Sequence, residues 1–595
     1  MASSISYDLS GGSEMQSRVA YLMQLFEQTS NRRVNFEVMW EESAALCWPE
    51  YRNSFSFGHN RPPGAKYTEF QVDTAGSIAS HRFMAIADAL VTPYTMLWSK
   101  VRASDDDLMK VKEVQEYYNE VTETLWYHRY RAEAGFMGNN QQNWQGLGVF
   151  GNMGMMVDEL AQSPGKFAPG LRYQATSVGQ IYIIRNHQGR EVGHIRHFRW
   201  TARQAAERWK EKIPAMMRAA LDQNSTTLWD FLQFVLPNDD YDPYKIFAPS
   251  GKPWSSTYLS VAGYVILEEG GYRSYPRASG CYLIAPEEDY GRGPAQMVLP
   301  ELKTLNALKS AYLKQAHNAG DPTYLIADDG LMDFKSQPGA YNFGGLTSDG
   351  KKLVDILPTG QIQITDEAMS KSSKAVDDAF LVSLFPLLFE QKGGQKSARE
   401  VIEMANQIGI FLAPLGRQYG EYLGSLIDRE LDLLSYLRLL PKVPDALKEA
   451  KGEYQLVYCS PLAKAMQGQP IAGYMRTVEM AKEVVNVTGD PSLMDRFDFD
   501  SALPEIADDQ FVPARWMASD DQVATKRKAR AAQVERDQQS KELPGKAAIM
   551  KAQAITAKAQ TGGNTGGALS GTPQGGMPIL PGQSQNGGTP PPGGP

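Results

Sequence analysis

Gly146, Gly148 and Gly151 fit the count of a G-x-G-x-x-G turn, the spacing that lets a backbone approach a dinucleotide's pyrophosphate. That chemistry needs a strand, the glycine turn and then a helix, with an acid about 20 positions on. Here a Gln- and Asn-rich stretch with helical character comes first, MMVDEL follows, and Arg172 stands where the acid belongs. The order is inverted, so the glycines read as a helix-to-strand turn. The segment GGQKSA, Gly393 to Ala398, similarly approaches a phosphate loop but carries Gln395 before the lysine and Glu390 at the first glycine position, and it follows a long helical stretch. His187, His194 and His197 cluster in strand-like sequence. Residues 194 and 197 point to opposite faces of a strand, and no Cys or carboxylate completes a ligand set, so solvated or core-edge histidines are expected. The acid groups Asp105 to Asp107 and Asp328 to Asp329 read as exposed turns. With no G-x-S-x-G, H-E-x-x-H or activated-cysteine signature, no catalytic constellation emerges, and no enzyme activity, cofactor or metal is expected.

The elements that would carry any site fall into a clear order. An amphipathic pattern runs through Val19, Leu22, Leu25 and Phe26, then Phe36, Met39, Trp40 and Leu46, to a stop at Pro49. Pro62 to Thr74 reads as loop and an extended piece, Thr74 to Leu90 as helix ended by VTPY, and Leu108 to Ala134 as a further helix. From about Gly148 to Gly270, runs such as QIYIIRN, GHIRHFRW and YLSVAGYVILEE predict mainly strand. GRGPAQMVLPELKTLNALKSAYLKQAHNAGDP is the clearest helix, with Pro300 near its start, an apolar row at Leu302, Leu305, Leu308 and Tyr312, and Gly320 at its end. A strand-and-turn insert follows (PTYLIADDG, PGAYNFGG, VDILPTG, QIQIT), and Thr365 to Glu390 is helical again. Each of these two helices would be about 33 to 39 Å long at 1.5 Å per residue, a stalk with a cap. Glu400 to Leu440 predicts a long amphipathic helix, broken only near Pro414.

Length and charge bound the rest. A chain of 595 residues exceeds what one core supports, and 42% hydrophobic residues suffice for several. The three cysteines lie too far apart for a disulfide framework or a metal knuckle, which implies synthesis in a reducing compartment. The opening MASSISYDLSGGSEMQ lacks the basic and apolar regions of a secretion signal, and no window is apolar enough to span a membrane. The net charge of −8 argues against a general basic surface wrapped by nucleic acid. Residues 523–560 depart from this, with nine Lys or Arg against three acids (+6), in a helix-prone run without an apolar face. A solvated helix is the simplest reading of that run, and an interaction arm the other. From Thr561 to Pro595 there is no charge and 19 residues are Gly or Pro, a composition that predicts a flexible tail dispensable for assembly.

Several stretches taken together resemble the head-to-tail connector, or portal, proteins of short-tailed bacteriophages. They are FEVMWEESAALCWPEYR, VDTAGSIASHRFMAIADALVTPYTMLW, YGRGPAQMVLPELKTLNALK with DPTYLIADDG and PGAYNFGG, and QKSAREVIEMANQ, in the family's order over about residues 30 to 440. The region after Leu440 resembles the family weakly, and Ser397 stands where Thr is more usual. The resemblance implies an α+β, mainly helical subunit with long stem helices, a β-rich wing and a small α/β clip, assembling as a ring, usually of twelve. Carried onto this chain it implies a wing over 1–296, stem helices over 297–318 and 365–391, and a clip over 319–364. It further implies a channel loop over 392–397, a long wing helix over 398–440, a crown over 441–522, a basic helical segment over 523–560 and the tail over 561–595. Leu302, Leu305, Leu308 and Tyr312 would pack the stem, and Lys392, Gly393, Gly394, Gln395 and Lys396 would line the DNA channel. The implied partners are copies of the chain, the double-stranded DNA that passes through, the large terminase subunit, capsid and scaffolding proteins and a tail adaptor, with no membrane. The implied place is the portal vertex of the virion, after synthesis in the host cytoplasm. The competing readings are a virion or tail protein without a channel, and an enzyme subunit of the packaging motor, which would need the clustered carboxylates or phosphate loop that the chain lacks.

Overall fold

The computed structural model describes residues 13–55, 64–160, 169–245, 248–326, 335–357 except 338, 344 and 347, 362–383, 412–450, 453–463, 469–488, scattered residues of 496–506, and 517–560 except 519. The chain divides into two compact units, Met1–Met517 and Ala518–Pro595.

The first unit begins with one unbroken helix, Ser13–Cys47, where the sequence shows two apolar groups. The two groups serve different cores. Val19, Leu22 and Phe26 pack on a five-stranded sheet, while Trp40, Ala44, Leu46 and Cys47 enter the main core. Arg33 lies between them and is fully buried, which costs several kcal/mol for a charge unless every donor is used. Its guanidinium donates to the carbonyls of Val178, Ile181, Phe55 and Gly179 and to Glu37, and stacks 3.9 Å from the Tyr182 ring centre. Pro49 then starts a single 3₁₀ turn, Pro49–Tyr51.

The five-stranded sheet is an antiparallel meander of β4 (Ile181–Arg185), β5 (Glu191–Thr201), β6 (Leu228–Pro237), β7 (Trp254–Ser260) and β8 (Val265–Tyr272). Register pairs Ile195 with Phe234 and Leu232 with Leu259 on the face covered by the first helix. The alternate residues Phe198, Phe231, Tyr258 and Leu267 face two short helices, Ala202–Trp209 and Ala215–Asp222. Those helices interrupt the expected run of strand. The first of them is announced by a capping box, the Thr201 side chain accepting from the Gln204 amide while Gln204 reaches back.

A smaller sheet orders β3 (Leu171–Ala175), β2 (Asn152–Glu159) and β9 (Arg277–Cys281). The helix Phe136–Phe150 feeds β2 through Gly151, which sits in the left-handed region at φ 70°. A Cβ there would lie 2.3 Å from the Arg292 backbone, so the glycine triplet serves a tight turn, as its order in the sequence predicts. Helices Ala75–Val91 and Lys112–Arg129 complete the main core. The expected helix from Leu108 to Ala134 is split, with a one-turn helix Asp106–Met109 capped by the Asp105 side chain ahead of it.

Late sequence returns to early sequence. β12 (Tyr454–Tyr458) pairs antiparallel with β1 (Ser99–Ala103), and the helical run from Ala413 to Tyr436 packs its Leu415, Tyr422, Leu426 and Leu434 into the main core. That run starts at the expected break, with Pro414 in the first turn of Ala413–Gly416, and includes a π turn, Tyr419–Leu423. The deepest tie is ionic. Arg129 (1% exposed) donates from Nε to Glu430 (0% exposed) at 3.0 Å, and the Tyr173 hydroxyl donates to the same carboxylate at 2.6 Å. The first unit also holds helices Asp445–Ala450 and Gln469–Thr488, and the described residues of the second hold the helix Asp520–Gln560.

Candidate functional site: the paired long helices and their cap

The apolar row of the clearest sequence helix lies on Leu299–Gly320, preceded by the short turn Pro294–Met297. Its partner is Ile362–Ala379, which ends short of the expected Glu390 because the chain turns at Leu381, φ 61°; residues 384–391 lie outside the described residues. At 1.5 Å per residue the two are about 33 and 27 Å long. They run antiparallel and share a root, because the start of the first and the end of the second both enter the main core. The QIQIT segment, expected as strand, belongs to the start of the second helix from Ile362 on, since alternation over so few residues does not separate strand from a helix start.

The root is held by specific contacts. Leu302 packs so closely on the helix Ala75–Val91 that a Cβ on Gly76 would meet its Cδ2 at 2.9 Å. Lys303 pairs with Glu42 on the first helix at 2.8 Å. Asn306 accepts from the Val72 and Asp73 amides and donates to the Phe70 carbonyl, which fixes the direction in which the helix leaves the body. Between the two helices, Ser372 Oγ donates to Glu301 at 2.8 Å. Val376 and Phe380 are fully buried, with the Phe380 ring edge-on to Phe83 at 6.2 Å.

Burial fades along the pair. Leu302 and Leu305 are each 3% exposed, Leu308 and Tyr312 are half-buried, and Leu313 is 41% exposed. The expected packing row is therefore a buried seam for its first two members and an open stripe for the other two. Where the seam opens, a groove of about 650 Å³ forms, lined by Leu305, Lys309, Met369, Lys374, Asp377 and Val382 among others. Partial burial and the neighbouring Asp378 push the Asp377 carboxyl up, against the pull of Arg82. Of these groove residues the apolar row of the sequence marks Leu305 alone. Lys309, Met369 and Asp377 come from positions whose spacing says nothing until the two helices are paired.

At the far end sits the cap. β10 (Tyr324–Ile326) pairs antiparallel with β11 (Val354–Ile356) in a two-stranded sheet of three residues each. Leu325, Ile326, Ile356 and Leu357 are about half exposed, Tyr341 is 85% and Phe343 90% exposed. A cluster of large apolar groups in water on so small a sheet is characteristic of an interaction surface. Asp328 and Asp329 lie outside the described residues, as do Lys392, Gly393, Gly394, Gln395 and Lys396, residues 398–411 and the tail from Thr561.

The chemically reactive residue types lie elsewhere and are occupied structurally. His194 is fully buried, not solvated, because β5 is covered on both faces. Its Nδ1 meets the Tyr275 hydroxyl at 2.7 Å, and burial beside Arg277 lowers its pKa to about 3. His197, on the opposite face, pairs with Asp230 at 2.7 Å. All three cysteines are free and buried, and burial pushes the Cys47 thiol up to about 12. Among the described residues no group of three or more His, Cys, Asp or Glu is arranged to hold a metal ion, and no helix is long and apolar enough to cross a membrane.

A family model described as bacteriophage head to tail connecting protein matches residues 20–517. A portal protein of Salmonella phage epsilon15 is 24% identical over 547 residues, 86% of this chain and 91% of the relative. A probable portal protein of Bordetella phage BPP-1 is 23% identical over 544 residues, 87% of this chain and 92% of the relative.

Proposed function

The chain belongs to the family of bacteriophage head-to-tail connecting proteins, and on that premise we propose that it is a portal subunit whose copies close a ring, usually of twelve, around a DNA channel at one capsid vertex. The paired helices are the stem, the strand cap is the clip that meets the packaging motor and later the tail adaptor, and Lys392 to Lys396 line the channel. The large terminase subunit, capsid and scaffolding proteins are the other partners. The observation that carries this reading is the burial gradient on the stem, from 3% at Leu305 to 41% at Leu313. One subunit fully covers only the root of its own apolar row, which leaves the half-buried remainder for a neighbour to complete.

Charge fits a conduit. Twelve chains at −8 each sum to −96. A surface that neutralised many phosphates would hold a duplex tightly and stall it, whereas an acidic ring with few cations lets it slide. The test is packaging. Particles assembled with this chain should protect DNA from nuclease when supplied with motor and ATP, and particles assembled without it should not. Equal protection in both would remove the portal role.

A further inference from the structure

The second unit carries a different electrostatic character from the first. Residues 523–560 hold nine Lys or Arg and three acids, a charge of +6, so the remainder of the chain carries −8 − 6 = −14. These residues lie on a single helix of 41 residues, Asp520–Gln560. Every residue from Ala524 to Arg536 is exposed. This stretch contains Lys526, Arg527, Lys528, Arg530 and Arg536 against Glu535 alone, a net of +4. Successive residues turn about 100°, so Lys526 and Arg530 share one face a turn apart while Lys528 lies on another. Like charges at that spacing repel, and no continuous apolar stripe repays the repulsion by packing. Val534, Ile549, Met550 and Ile555 are each more than half exposed. An exposed, positive helical stretch without an apolar face, as over residues 524–536, is a poor partner for a protein groove and a good one for a polyanion.

We propose that the helix Asp520–Gln560 is a duplex-DNA-binding arm, with the face that carries Lys526 and Arg530 on phosphates. The occupant follows from the channel reading, which supplies the duplex, and the arm deepens that reading. Such a contact is reversible and salt-sensitive. It would hold DNA near the assembly without selecting its sequence.

The experiment measures binding of a labelled duplex of mixed sequence to the full-length assembly as salt is raised. The variant carries Lys526→Gln and Arg530→Gln together, which keeps the helix-forming character. Two phosphate contacts contribute a slope of about −1.8 in log affinity against log salt, or about a tenfold loss over a fourfold rise in salt. The glutamine variant should lose about that much slope, and a charge-keeping variant (Lys526→Arg, Arg530→Lys) should keep it. An unchanged slope in the glutamine variant overturns the proposal, as does tighter retention on phosphatidylglycerol vesicles than on duplex at equal salt. The same preparations are imaged. Closed rings with an unchanged slope sink the arm alone, while absence of rings with a normal slope change sinks the portal reading and leaves the arm standing.

Discussion

Replacing Leu305 with Asp tests the coupling of the stem to assembly at the point where the seam opens. Leu305 is 3% exposed and lines the groove with Met369 and Val382. Removing a buried leucine forfeits about 2 to 3 kcal/mol of burial, and a carboxylate in its place adds a desolvation cost. Lys309, one turn on and lining the same groove, can return a few tenths of a kcal/mol as an i,i+4 partner. The net is about 3 kcal/mol or more, a large part of the 5 to 15 kcal/mol that holds a typical domain together. Unfolding followed by circular dichroism should show a lowered midpoint, and sedimentation should show loss of rings. The companion change Leu313→Asp, at a site already 41% exposed, should leave the isolated subunit within about 0.5 kcal/mol of wild type yet still remove rings. Intact rings in both variants would show that the stability of the stem is not coupled to assembly and that Leu313 lies in no seam between subunits.

Either Arg129→Met or Glu430→Leu alone should cost about 3 to 5 kcal/mol in denaturant unfolding, because each leaves a buried charge unpaired, and the double variant should recover most of that loss. The pKa of His194, held near 3 when folded and ordinary when unfolded, makes the unfolded chain bind more protons between those values. Its contribution is complete above about pH 6.5 and is lost as pH falls toward 3, so urea midpoints should drop between about pH 6.5 and 5, and His194→Gln should flatten that slope. Changing Lys392 and Lys396 together to Ala should alter packaging rate or retention of a full genome while rings form normally, and an effect on neither would remove the loop from any grip on DNA.

Much of the body was legible because periodicity and burial coincide. The rows at Val19 to Phe26 and at Leu302 to Tyr312, the stop at Gly151 and the strands from Gly148 onward all follow from side-chain period and backbone freedom. What was not legible depends on partners distant in sequence. Nothing local shows that Tyr454 to Tyr458 would pair with Ser99 to Ala103, or that Arg129 would meet Glu430, 301 positions away. Of the two readings open for His194, burial excludes the solvated one, which period could not do because it places a residue on a face without saying whether that face is covered. The groove at Lys309 and Asp377 likewise exists only once two helices are set side by side. The aromatic pair Tyr341 and Phe343 was visible as PGAYNFGG, yet only the fold shows that both stand in water.

The most direct test of the account is an image of the purified full-length assembly viewed down its axis. A closed ring, with an open axial channel, the paired helices of neighbouring copies in contact along Leu308, Tyr312 and Leu313, and the strand caps gathered at one end, is the predicted result. A monomer, or an assembly without an axial opening, would contradict it.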